Sequence, residues 1–533
     1  MKRALLPGLI CAALSLPLPA AAHEEEPVPA GEPDRLGAVA FPTSCNTAAQ
    51  AHFDRGLAML HSFFYPAASA AFERAAQADD ACAIAQWGVA MSQWYPLWYP
   101  PTRESFEKGR QALARASSIG AKSVREQAYL DALARFYSDF GKDHRQRMRD
   151  YASAMQALHE RFPEDSEGAL FYALALQATA DPDDRTYPNQ LRSAEIIEQV
   201  FAAQPDHPGA AHYLIHAYDY PELAARALPA ARRYGTIAPS MPHALHMPSH
   251  TYIALGLWDD AIASNLRAAE AARRQGWPQE ELHAMDYLVY AYLQSGRSTA
   301  AERVAREIVR APIDGKARTL PLDYSRAASP ARVALEQRRW QEAAALPVPD
   351  TRFPATAALA RYARALGFVH LSDVEGAEAE LQALAAIRDA LTAAQQGYWA
   401  KQVEVQRETV QAWIAWVRGD RDAAVNGMRA AVQLEESTYK HPVTPGQLLP
   451  ARELLGDMLL DLDQPAAALQ EYEAVLRANP NRFNALRGAA LAADAAGIPE
   501  QAGNFYMQLS AMCASSDADR RELDTVQVWL ASH

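Results

Sequence analysis

The chain has 533 residues, half of them apolar and 22% charged, with a formal net charge of −13 at pH 7. That composition belongs to a folded protein rather than to a disordered one. The negative balance disfavours nucleic acid and anionic membranes as partners, and beyond the N-terminus no stretch of about 18 or more apolar residues offers a membrane span.

Residues 1–22 read as a signal peptide. Lys2 and Arg3 supply the positive start, Leu5 to Leu18 a short apolar stretch, and Ala20-Ala21-Ala22 a small-residue cleavage site. The expected localisation is periplasmic or secreted, and loss of Lys2 and Arg3 makes the mature chain two charges more negative. Residues 23–44 are rich in Pro, Gly and Glu and are expected to form a flexible lead-in. Export permits disulfides. Past the signal, Cys45, Cys82 and Cys513 allow at most one intramolecular bridge. Cys45–Cys82 is the plausible pair, since both stand near the starts of successive helical units; two separate buried thiols are the alternative.

From residue 45 onward Ala and Leu dominate and β-branched runs are scarce, which favours helix. Gly56, Ala68, Phe72 and Ala75 fit one helical hairpin of an N-terminal stretch (45–180), and Trp87-Gly88 opens the next. In a central stretch (181–345), Gly256, Ala261 and Ala268, then Gly296 and Ala301, mark further turns and second helices. The C-terminal stretch (346–533) repeats most clearly: Gly456, Ala468 and Tyr472 recur as Ala490, Ala502 and Tyr506, 34 residues on. The proline-bearing insertions DPDDRTYPNQ, APIDGKARTLPLD and PVPDTRFPAT interrupt the spacing between them. A 34-residue unit with a small residue where two helices cross resembles the tetratricopeptide (TPR) repeat. The expected fold is all-α, a tetratricopeptide-type helical-hairpin solenoid, for which the resemblance implies a right-handed superhelix.

The histidines follow the same register. His212 and His216 form an H-x-x-x-H pair, and His246 and His250 form another 34 residues later. TPR resemblance implies that positions 2, 5, 9 and 12 of each first helix face a concave groove, and helical periodicity puts such positions on one face independently. The unit from Pro208 offers His212, His216 and Asp219; the unit from Pro242 offers His243, His246 and His250; the unit from Leu282 offers His283, Asp286 and Tyr290. Histidines at i and i+4 are neighbours on a helix, about 5–6 Å apart at Cβ, and packed helix axes lie about 8–10 Å apart. His212, His216, His243, His246, His250 and His283 are therefore candidate metal ligands. Asp219 and Asp286 are candidates for ligands, for groups that orient imidazole, or for general bases. The donor set suits copper or zinc, with iron a further candidate, and argues against calcium or magnesium. Five or six histidines could hold two ions. The bland reading is also open: a histidine on a helix often only satisfies packing or caps a backbone group.

The segments HPGAAHYLIHAYDYPELAARALPAARRYGTIAPSMPHALHMPSHTYIALGLWDDAIASN and LHAMDYLVYAYLQ, with LHSFFYPAASAAFERAAQADDACAIAQWGVAMS upstream, resemble a family of exported bacterial TPR proteins. The likeness spans most of residues 41–300. It implies the fold and export, and no reaction.

Two functions follow as expectations. One is an exported metal-binding protein with its ions in the groove of the central units; as an enzyme it would be a metal-dependent hydrolase or a copper or iron oxidoreductase. The other is a periplasmic scaffold that binds a protein or peptide in that groove, the common use of such solenoids, with no metal or catalytic activity. Under either reading the expected partner is a small-molecule, peptide or protein ligand in the concave groove. The sequence has no H-E-x-x-H, nucleophile elbow or Gly-rich phosphate loop to name a reaction.

Overall fold

The structure, a computed structural model, describes residues 35–312, 318–517 and 521–532. The expected signal peptide and residues 23–34 of the lead-in lie outside them. The described residues form 26 helices and no strand; a single isolated bridge links Tyr95 and Tyr99. No described helix is long and apolar enough to cross a membrane. The protein is an all-α, TPR-type helical-hairpin solenoid, in which helices adjacent in sequence pack on one another.

Small residues and an aromatic ring set the packing distance in hairpins at both ends of the chain. Phe72, on α2 (Tyr65–Ala78), is wedged against Gly56 of α1 (Thr47–His61) and Gly88 of α3 (Ala83–Met91). A Cβ at Gly88 would stand 2.3 Å from the Phe72 ring. At the other end Tyr472, on α23 (Pro465–Ala478), takes the same place between Gly456 of α22 (Ala451–Asp461) and Gly488 of α24 (Phe483–Ala495), with a Gly488 Cβ at 2.4 Å. The small residue and the aromatic are thus one feature: the ring of a second helix fills the gap left on two first helices.

Residues 35–44 are not a loose lead-in. They run extended across the first hairpins, with Phe41 buried against Phe53, Trp87 and Tyr129. The Ala38 N–H donates to Asp206 O, and the Ser44 N–H and hydroxyl donate to Glu126. Pro and Gly in this segment signal the lack of regular structure, but Leu36 and Phe41 carry enough apolar surface to anchor it. Cys45 and Cys82 form a disulfide, with Cα atoms 5.0 Å apart, and Cys513 is a buried thiol.

The buried apolar residues form two clusters, one from Leu36 to Val333 and one from Tyr324 to Val526. The C-terminal hairpins nevertheless turn back onto the central ones. Trp258 Nε1 donates to Asn481 O, Asn481 Nδ2 donates to Gly256 O, and the Phe483 N–H donates to Gln294 Oε1. Gly256, at φ +67°, lies so close to Pro480 O that a Cβ would come within 2.3 Å.

Candidate metal centre

The six histidines come from three neighbouring first helices. The first is α9 (Pro208–Ala217). The second is split into α11 (Pro242–His246) and α12 (Pro248–Ala254), and the third is α14 (Pro278–Gln294). Pro248 has no N–H to donate, so the hydrogen-bond ladder is interrupted at Met247. The Met247 backbone stays right-handed helical (φ −52°, ψ −35°) and the His250 N–H reaches Met247 O. His246 and His250 therefore stay one turn apart across the break.

All six expected ligands are brought together, but as two triads. One nitrogen from each of His212, His216 and His243 lies within 4.8 Å of the others, and so it is for His246, His250 and His283. The two sets meet where His243 and His246, on the same short helix, stand 6.4 Å apart at their ring centroids. The histidines do not line an open groove. His212, His243, His246 and His250 are buried, and His216 and His283 half-buried. Three segments cover them. Phe63, at φ +55° in the turn after α1, packs on His212, His216 and His243. Trp98 stands edge-on to His216. The 437–450 segment lies over α14, where the Tyr287 hydroxyl donates to Pro442 O.

Hydrogen bonds orient the rings from behind. Nδ1 of His212 donates to His61 O at 2.7 Å, Nδ1 of His246 to Asn265 Oδ1 at 2.7 Å, and Nδ1 of His250 to Asp219 Oδ2 at 2.9 Å. The Asn265 amide is itself fixed, since its Nδ2 donates to Ala261 O. Nδ1 of His243 faces Glu280 Oε2 at 3.4 Å. With Nδ1 committed as a donor, each Nε2 is left with a lone pair. Nε2 of His246 and Nε2 of His250 face each other at 3.2 Å, and Nε2 of His212 and His216 at 3.1 Å. Nε2 of His243 and Nδ1 of His283 are buried without a hydrogen bond among the described residues.

Burial, reinforced by the neighbouring imidazoles, holds His212, His216, His246 and His283 well below the ordinary histidine range. Burial also lowers His250, against the pull of Asp219. Burial would raise Asp219, but Lys440 and His250 outweigh it and keep the carboxylate ionised. Lys440 Nζ lies 3.4 Å from Asp219 Oδ2.

Asp219 thus touches a histidine as an orienting carboxylate. Asp286 is placed elsewhere: it is fully buried, accepts from Ser329 Oγ at 2.9 Å and lies 3.4 Å from Arg332 Nε. Among the described residues its polar partners are Ser329 and Arg332, and no histidine. Arg332 of α16 (Leu320–Glu336), packed on α14, draws it away from the cluster.

A third group, His61, Glu167 and His207, also satisfies a ligand spacing, but its chemistry differs. His61 Nε2 and His207 Nε2 both reach Glu167, at 2.7 and 3.0 Å. His61 Nδ1 takes the Tyr213 hydroxyl and His207 Nδ1 the Ala210 N–H. Every ring nitrogen has a partner, so the group is a saturated hydrogen-bond network. It bears on the first triad because His61 O is what orients His212. Gly209 makes room for it: a Cβ there would meet His61 Nδ1 at 2.4 Å. Asn265, His61 and Phe63 carry no pattern in the sequence that marks them for this role.

No protein-family model matches this sequence, and no curated protein matches it either. Among solved structures, a monomeric mutant of IFIT1 with Gppp-AAAA is similar at 12% identity and a TM-score of 0.37, covering 81% of this chain and 90% of that one. The P58(IPK) TPR domain is similar at 17% identity and a TM-score of 0.21, covering 69% of this chain and 99% of that one. Neither likeness bears on the site.

Proposed function

We propose that this is an exported transition-metal protein that holds two ions, one in each histidine triad. The observation that carries the reading is the His246–His250 contact. Both rings use Nδ1 as a donor, to Asn265 and to Asp219, so two bare Nε2 lone pairs face each other at 3.2 Å. Buried lone pairs repel at that distance unless a proton or a cation lies between them, and burial disfavours a charged imidazole. A metal ion relieves the contact and satisfies both nitrogens.

Three neutral imidazoles suit copper or zinc, and iron as a further candidate. They leave coordination positions free for a reacting group. Hydrolysis at zinc and redox chemistry at copper or iron both fit that donor set. In either, Asp219 acts as a positioning residue that fixes the tautomer of His250. The buried setting of the histidines favours an ion over an extended peptide. Export is supported by the basic, apolar leader pattern of residues 1–22 and by the Cys45–Cys82 disulfide, a feature of oxidising compartments.

Element analysis of the purified protein after reconstitution with copper or zinc tests the reading. Wild type should carry about two ions per chain, and a His246→Ala/His250→Ala variant should lose one of them while keeping its helical circular dichroism. A wild-type protein that takes up neither metal would remove the proposal.

A further inference from the structure

A cavity of about 590 Å³ lies beside the first triad, and His216 and Asp219 form part of its lining. The volume falls within the range of about 300–1,000 Å³ common to small-molecule sites. Its walls come from six places: the 96–100 segment, α6 (His144–Arg161), the end of α7 (Ser166–Ala178) with the turn after it, Gln190 of α8 (Pro188–Ala203), the end of α9 with the turn that carries Asp219 and Tyr220, and residues 439–442. The chamber is thus assembled from parts of the chain far apart in sequence, and it reaches a histidine of the proposed metal site.

Its chemistry is mixed in an informative way. Trp98, Tyr220 and Tyr439 give it flat aromatic surface, and aromatic walls favour a ring. Arg145, Arg149 and Lys440 face two carboxylates, Asp181 and Asp219, so the lining carries a small positive excess although the chain as a whole carries −13. Arg145 is exposed at the lining and makes no ion pair or hydrogen bond among the described residues. Among the described residues Arg149 is held by the neutral Gln146 Oε1 and by no carboxylate. Lys440 already shares Asp219. The second carboxylate in the wall, Asp181, is exposed and sits in the turn after α7. Two arginines without carboxylate partners leave guanidinium forks available to a planar carboxylate.

We propose that this chamber binds a small aromatic carboxylate, with its ring among Trp98, Tyr220 and Tyr439 and its charge toward Arg145 and Arg149, next to His216. Its role as a substrate site rests on the metal reading above; its ligand preference does not.

Benzoate is the probe, titrated by calorimetry into the full chain with and without reconstituted metal. Benzamide serves as the neutral analogue and cyclohexanecarboxylate as the non-aromatic one. Benzoate should bind, and both analogues should bind at least about ten-fold more weakly. An Arg145→Ala/Arg149→Ala variant should lose about ten-fold in benzoate affinity with its metal content unchanged. The proposal is overturned if benzoate does not bind, if either analogue binds as tightly, or if the variant keeps full affinity. Benzoate binding by a chain that takes up no metal would sink the metal reading and leave the chamber standing. Metal uptake without benzoate binding would do the reverse.

Discussion

One carboxamide fixes the tautomer of His246. Asn265 Nδ2 is committed to Ala261 O, so its Oδ1 can only accept, and His246 Nδ1 must donate. Removing such an orienting partner commonly costs about 10–100-fold in metal affinity. Asn265→Ala should therefore weaken zinc binding by about that factor in a competition titration, with secondary structure intact. Unchanged affinity would mean that Asn265 only fills space. The two halves of this arrangement differ in how legible they are. H-x-x-x-H pairs are visible because both histidines share one helix face, and the 34-residue repeat relates the two pairs. Asn265 and His61 are not, because their contacts cross between helices 19 and 151 positions apart in sequence, and no local pattern marks a residue whose role is set by a neighbour. Asp286 misleads for the same reason. Its helix position suits the histidine face, while a buried arginine from the next first helix decides where its carboxylate goes.

Helices are held in place around the centre by a small number of buried charges. Arg482, just before α24, pairs with Glu453 of α22 at 2.6 Å and with Glu336 of α16 at 2.8 Å, and it donates to the Tyr290 hydroxyl of α14 at 3.3 Å. One guanidinium thus ties the helix that carries His283 to the C-terminal hairpins. Breaking a buried pair by removing one partner leaves uncompensated charge, at a cost of about 3–5 kcal/mol. Arg482→Ala should lower the urea midpoint by a corresponding amount and loosen the cover over the histidines. A loss under about 1 kcal/mol would show that the two carboxylates find solvent without it. The hairpins themselves were readable from glycine, alanine and aromatic spacing, because each unit repeats its own packing. The segment over residues 437–450 was not. It has no repeat, and its place over α14 depends on how far the C-terminal hairpins turn back.

At the scale of the molecule, the solenoid buries what its concave side was expected to expose. The turn after α1, the 95–100 segment and the 437–450 segment each bring polar or aromatic groups onto the histidine-bearing helices, and so convert a ladder of groove positions into an enclosed centre. The Cys45–Cys82 bridge secures the N-terminal edge of this assembly across 37 residues. A loop of that length corresponds to about 2–4 kcal/mol of stabilisation. Reducing agent should lower the melting temperature of wild type and leave a Cys45→Ala/Cys82→Ala variant unaffected; equal sensitivity in both would assign the effect to something other than this bridge.

Metal stoichiometry, by titration of the reconstituted chain, decides whether each histidine triad holds its own ion. Wild type should saturate at two ions per chain. His212→Ala/His216→Ala and His246→Ala/His250→Ala should each saturate at one, and the four combined should bind none. Saturation of both double variants at the wild-type value, or no saturable binding by wild type, would contradict one ion per triad.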